Sequence, residues 1–148
     1  QSQLEQIILN LCLNAKEAMG DGGTINLTTR EAELTPARVA RCVPYNAKPG
    51  RYVEIVVRDT GAGMDQATMT RIFDPFFTTK AEGHGLGMAA VLGILRQHDA
   101  VALVESEPGE GTTVHVFFPI KRRARTRTTS EPKRKRRSAA PTTRRHSE

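Results

Sequence analysis

Two asparagines, Asn10 and Asn14, stand one helical turn apart in LNLCLNAKEAM at residues 9–19, inside an otherwise apolar helical pattern. Asn competes for nearby backbone groups and is a mediocre helix former, so a pair in mid-helix asks for a reason. Together with Glu17 they form a stripe beside the apolar arc of the helix. An amide oxygen on a rigid helix can complete the octahedral shell of Mg2+ while phosphate oxygens and waters fill the rest. Hydrogen-bonded amides at a helix–loop contact are the plainer reading.

Three further stretches have the residue types of a binding site. In RDTGAGM at 58–64, Asp59 ends a hydrophobic strand, where a carboxylate with few solvent neighbours can accept a hydrogen bond from an amino group. Gly61 and Gly63 let the backbone turn sharply and come close to a flat ring. A tight Asx turn would use the same residues. GHGLGMAAVLGILRQH at 83–98 feeds a Gly-rich loop into a helix, whose free N–H groups and dipole attract phosphate. It is neither a Walker loop nor a G-x-G-x-x-G after a strand. Finally, EPGEGTTVHVFFP at 107–119 turns through glycines into a strand, with Thr112 offering a hydroxyl or simply following a hairpin turn.

The elements that must carry these residues follow from periodicity. Leu4, Ile7, Ile8, Leu11, Cys12, Ala15, Ala18 and Met19 fall within one arc of a 3.6-residue wheel, predicting an amphipathic helix over 3–19 that GDGG ends at 20–23. Strands are expected at 24–29, 51–59, 101–106 and 112–118, a short helix near 65–73 and a longer one over about 86–98. Pro36, Pro44, Pro49 and Gly50 mark 34–50 as a surface excursion. The fold class is α+β, a two-layer α/β sandwich in which helices pack on one face of a mixed or largely antiparallel sheet.

Charge is divided unevenly. Of 22 Lys and Arg, 12 lie in residues 121–148 with only 2 of the 16 acids, leaving 10 basic and 14 acidic residues before them. The body is therefore about −4 and the tail about +10. A tail with almost no large apolar residue cannot bury enough surface to offset its ordering entropy, so it is expected to be disordered and to bind polyanions non-specifically. The domain boundary is placed at 120, between a body of 1–120 and a tail of 121–148. No run reaches the roughly 20 apolar residues of a membrane span. Cys12 and Cys42 have no C-x-x-C or His partner spacing, so no Cys/His metal site and a reducing compartment are expected. The chain opens almost directly in a helix and without Met, as a piece of a longer protein would.

The order of these stretches is more specific than any one of them. Asn helix, D-x-G-x-G, FDPFFTTK at 73–80, G-x-G-x-G and G-x-G-T, over about residues 3–119, resemble the ATP-binding catalytic domain of sensor histidine kinases, within the superfamily of gyrase, heat-shock chaperone and mismatch-repair ATPases. The Phe pair and TTK are most similar to the nitrogen-regulation type. The resemblance implies ATP and Mg2+ as cofactors, with Asn14 as metal ligand and Asn10 at the phosphates. It implies that Asp59 holds the adenine amine with Gly61, Gly63 and Thr112 around it, and that Gly85, Leu86 and Gly87 admit the triphosphate. Lys80, on a mobile lid, becomes a phosphate contact and, with Asn10, a catalytic residue. Phe73, Phe76 and Phe77 are expected to pack the lid and a docking surface, or simply the core.

One position separates kinase from hydrolase. The superfamily's ATPases carry a Glu one turn before the metal-binding Asn, as the base that activates water; here that residue is Asn10, and an amide takes up no proton near neutral pH. An acceptor imidazole is already a nucleophile and needs no strong base. Transfer of the γ-phosphoryl group to a histidine is therefore expected, with a docking module that has lost transfer as the alternative reading. The implied partners are a dimerisation domain bearing the phosphoacceptor histidine and, indirectly, a response regulator receiver domain. The parent is expected to be a homodimer with this domain in the cytoplasm, either attached to the inner membrane or free of it. Departures from the family pattern are His84 and Met88 in the glycine box, a lid of only Ala81 and Glu82 before Gly83, no strand before the Asn helix and Asp99-Ala100 in place of a Gly pair. His98-Asp99 lacks the surroundings of a phosphoacceptor, and His84, His115 and His146 are no better placed.

Overall fold

The computed structural model describes residues 2–121. The expected disordered basic tail therefore lies, but for Lys121, outside the described residues. Helix α1 (Gln3–Met19) is fixed at its start by a reciprocal cap: Ser2 Oγ accepts the Glu5 N–H at 3.2 Å, and the Glu5 carboxylate accepts the Ser2 N–H at 3.1 Å. Gly20, at φ +59°, ends it. There follow β1 (Ile25–Leu34), the four-residue α2 (Pro36–Val39), β2 (Gly50–Asp59), the four-residue α3 (Gln66–Met69), α4 (Gly87–Gln97), β3 (Val101–Glu107) and β4 (Gly111–Pro119). At the turn from α4 into β3, Asp99 takes φ +53° in place of the glycine more usual there, a conformation Asp tolerates better than most residues.

The sheet has the order β1-β2-β4-β3. All three pairings are antiparallel, which corrects the mixed sheet and leaves the antiparallel alternative. Strand β1 is longer than its alternating stretch suggested, because it pairs with β2 along its whole length from Ile25↔Asp59 to Leu34↔Gly50.

Period-2 alternation divides the apolar residues between two cores. On one face α1 and α4 cross the sheet, and Ile7, Leu11, Val91, Ile94 and Leu95 pack on Ile55, Val57, Val114 and Val116. Leu4, expected on the same arc, is 45% exposed. The two long helices thus lie on one face, as expected, while the other face is covered by residues of 34–50 and the short α2, which corrects the reading of 34–50 as a surface excursion. There Leu34, Cys42, Tyr52, Leu103 and Phe117 form a second core with Val39 of α2 packed against it. Burial raises the Cys42 thiol above its ordinary value, so it remains a protonated core residue.

A charged network crosses this second face. Glu54 is fully buried, and its Oε2 accepts Arg30 Nε at 2.5 Å. Its Oε1 meets His115 Nδ1 at 2.7 Å and Arg38 at 3.5 Å. His115 Nε2 faces Glu105 at 3.2 Å, which also accepts from Arg41 at 3.3 Å. Burial by itself would raise the Glu54 carboxyl; the hydrogen bonds from Arg30 and His115 and their charges outweigh it and hold the group below the ordinary carboxylate range.

Candidate functional site

The chemistry-bearing stretches converge on one cleft of about 700 Å3 between α1, the loop after β2, the start of α4 and the segment 77–86. Asn10, Asn14, Asp59, Gly63, Lys80, Gly85, Leu86, Gly87 and Thr112 all line it. Gly61 is the one expected site residue behind the lining.

Asp59 closes β2 at 6% exposure. Its Oδ1 accepts the Gly61 N–H at 2.8 Å and the Thr112 N–H at 3.2 Å. The Asx-turn and ligand readings of this residue are thus compatible. The turn uses one oxygen, while Oδ2 has no protein donor among the described residues and is not sealed from the cleft.

The glycines divide by what surrounds them. A Cβ on Gly61 would stand 2.8 Å from the Ala18 carbonyl, so this glycine seats the loop on the end of α1 instead of admitting a ring. Gly63, at φ +69°, leaves 1.9 Å between a Cβ and the Glu107 oxygen. Replacing Gly63 with Ala should lower stability by about 2 kcal/mol, from left-handed backbone and overpacking together. A urea midpoint equal to that of the parent would remove this account of the loop. Gly85 is packed against the Phe76 backbone, whose N–H donates to the Gly85 carbonyl at 2.9 Å. Gly87 alone of the glycines lining the cleft has open space where a Cβ would be.

At the other end of the cleft, Asn10 Nδ2 donates to the Gly87 carbonyl at 3.2 Å, tying α1 to the start of α4 and leaving the amide oxygen free of that bond. Asn14 lines the cleft half-buried, its side chain making no protein hydrogen bond among the described residues. Leu86 caps α4 without a side-chain bond, so the first N–H groups of this helix keep no protein partner among the described residues. Lys80 Nζ pairs with Glu17 across the mouth.

The three Phe residues separate: Phe73 packs against the main core, Phe77 lines the cleft beneath the Arg71 guanidinium at 4.4 Å, and Phe76 is 75% exposed. Sequence reasoning missed the apolar floor of Val57, Val114, Leu11 and Met64, and it missed Ser106, which lies outside the lining but braces it. Ser106 Oγ accepts the Met64 N–H at 2.8 Å and meets the Thr112 hydroxyl at 2.8 Å, holding the loop after β2 to the β3–β4 hairpin. Nothing local in VALVESE announces that task, because it depends on strand pairing.

A carboxylate oxygen over an apolar floor at one end, with an uncapped helix start, two amides and a cation at the other, suits a flat amine-bearing ring with an anionic chain. Comparison with known proteins gives the same answer. Residues 1–122 match the family described as histidine kinase-, DNA gyrase B-, and HSP90-like ATPase. The chain is 42% identical over 120 residues to sensor kinase CckA of Brucella abortus (strain 2308), covering 79% of this chain and 12% of that protein. It is 38% identical over 118 residues to sensor histidine kinase ZraS of Escherichia coli (strain K12), covering 80% and 22%. It thus spans less than a quarter of the length of these relatives. Among solved structures, the mycobacterial sensor histidine kinase MprB superposes with a TM-score of 0.59 at 25% identity, over 79% of this chain and 70% of that one. Full-length ShkA in complex with AMPPNP gives 0.58 at 26%, over 79% and 21%. The shared fold, the matched family and the convergence of the chemistry-bearing stretches on one cleft agree: this chain belongs to the histidine kinase-, gyrase B- and HSP90-like ATPases.

Proposed function

We propose that the cleft binds Mg·ATP and that the γ-phosphoryl group passes in line to a histidine on a dimerisation domain of the parent protein, as the first step of two-component signalling. The adenine amine donates to Asp59 Oδ2, with Thr112 at the edge of the ring. The phosphates meet the free N–H groups at the start of α4, the oxygen of Asn10 and the ammonium of Lys80. The metal fits the residues present: Asn14 offers a hard oxygen without another protein partner, and Mg2+ commonly takes one or two protein ligands and keeps phosphate oxygens and waters. When bound, Mg2+ neutralises charge on the β- and γ-phosphates.

The observation that carries this reading is the amide at Asn10. It lines the cleft where a hydrolase needs a carboxylate, so Asn10 orients phosphate but gives water no base. Two of the three described histidines are already engaged by protein partners, which favours an acceptor elsewhere, while the third, His84, lines the cleft itself. His115 is buried between two carboxylates, and His98 ends α4 bonded to Gln3 at 2.6 Å. A transfer-dead docking module is not favoured, since the expected ligand-facing groups share one cleft. We place the kinase domain at 1–120 and a polyanion-binding tail at 121–148, in a homodimeric parent whose phosphoryl group reaches a response regulator. A cytoplasmic setting is proposed for this domain; among the described residues no helix is long and apolar enough to cross a membrane.

The test is labelled ATP with a matched acceptor helix supplied in trans. Label on the acceptor histidine is the expected result. Intact binding with no label on any matched acceptor, or steady release of inorganic phosphate without one, would overturn the kinase reading.

A further inference from the structure

We propose that Glu17 is a positioning residue for phosphate binding: it holds Lys80 at the mouth of the cleft and surrenders it to the incoming triphosphate, so the strength of this one ion pair tunes nucleotide affinity. The inference rests on the ATP reading above and adds to it a residue with no part in that reading.

Lys80 is the one Lys or Arg among the residues lining the cleft, and its Nζ is engaged by Glu17. Glu17 stands on α1 three residues beyond Asn14, and both side chains line the same space. The pair therefore ties the 77–86 segment to α1 at the side from which phosphates must enter. A polyanion entering there meets an acid and a cation already neutralised, and binding must exchange one partner of Lys80 for another.

The geometry suits exchange better than permanent closure. The Glu17 and Lys80 side chains are 53% and 37% exposed, so water can replace either partner as the pair opens. The Lys80 backbone is fixed independently of its side chain: its N–H donates to Thr78 Oγ1 at 3.0 Å, and its carbonyl accepts the Gly83 N–H at 3.3 Å. Four flexible bonds can then swing the ammonium from Glu17 to phosphate while the turn stays in place.

The experiment is a binding cycle on the 148-residue chain with Mg·ATP, Mg·ADP and adenosine, using parent, Glu17→Gln, Lys80→Ala and the double variant. Freeing Lys80 with Glu17→Gln should tighten Mg·ATP binding by about two- to fivefold, the range of a partly exposed ion pair. Lys80→Ala should weaken it. In the Lys80→Ala background the gain from Glu17→Gln should vanish, because the gain is the release of Lys80. Adenosine affinity should be the same in all four proteins, a pattern that a merely structural role for Glu17 would not produce. Unchanged ATP affinity in Glu17→Gln overturns the proposal, as does a gain that persists without Lys80 or extends to adenosine. If the parent binds no nucleotide, the ATP reading itself fails; if the parent binds and Glu17→Gln is neutral, only the exchange fails.

Discussion

Asp59→Asn weakens ATP binding by about 100-fold while the protein stays folded, on the expectation that a charge-assisted hydrogen bond is lost and a donor is left facing a donor. The isosteric change is severe because both ends of the side chain are committed. Oδ1 accepts two backbone N–H groups, from Gly61 and Thr112, which fixes the carboxylate plane and leaves Oδ2 to the cleft. An Asn that keeps its oxygen on those N–H groups points its amino group into the cleft, donor against donor with the adenine amine proposed there. The reverse orientation sets its amino group against two backbone donors at a site only 6% exposed. Neither arrangement satisfies every group. Calorimetric titration with Mg·ATP gives the affinity, and circular dichroism confirms the fold; an affinity within threefold of the parent would mean that Asp59 does not hold the base.

Glu54→Ala should destabilise the fold by about 3 kcal/mol, from the lower end of the range for breaking a buried ion pair, since the Arg30 side chain is 61% exposed and recovers part of its hydration. The loss falls on the sheet face opposite the cleft. Without Glu54, the buried His115 keeps Glu105 as its one side-chain hydrogen-bond partner among the described residues, and Arg38 loses its anchor while remaining over the Phe117 ring at 5.1 Å. Denaturant midpoints should separate Glu54→Ala from Glu110→Ala, an exposed control. Equal shifts in the two would sink the idea.

The same carboxylate predicts an acid limb. The folded protein holds Glu54 below its ordinary value of 4.5, so the unfolded chain takes up this proton more readily than the native state. The stabilisation is fully present above 4.5 and is lost as pH falls through the lowered folded value. Glu54→Gln should flatten that part of the stability profile.

Much of the binding cleft was legible because its parts are local. A one-turn Asn pair, an Asp at a strand end and glycines before a helix each state their chemistry within a few residues, and their order carried the family resemblance. The glycine turn into a strand at 107–119 was legible for the same reason, and it joins β3 to β4 as an antiparallel hairpin. Where the reading slipped, the deciding contact was distant in sequence. Gly61 packs against Ala18 and Gly85 against Phe76, neighbours that the local sequence does not announce. The 34–50 stretch read as an excursion because its prolines describe the backbone, whereas the burial of Leu34 and Cys42 depends on Phe117 and Leu103 from the far end of the chain.

By itself, then, the sequence determined the α+β class, the helix carrying Asn10 and Asn14, and the set of groups available to a nucleotide. Tertiary structure alone decided which oxygen of Asp59 faces the cleft, that Ser106 braces its loop, that Glu17 engages Lys80, and that Glu54 is buried among Arg30, Arg38 and His115. The division has a physical cause. Periodicity and turn chemistry act over one or two turns of chain. The pairing of charges and the filling of space beside a glycine depend on segments joined only once the sheet has closed.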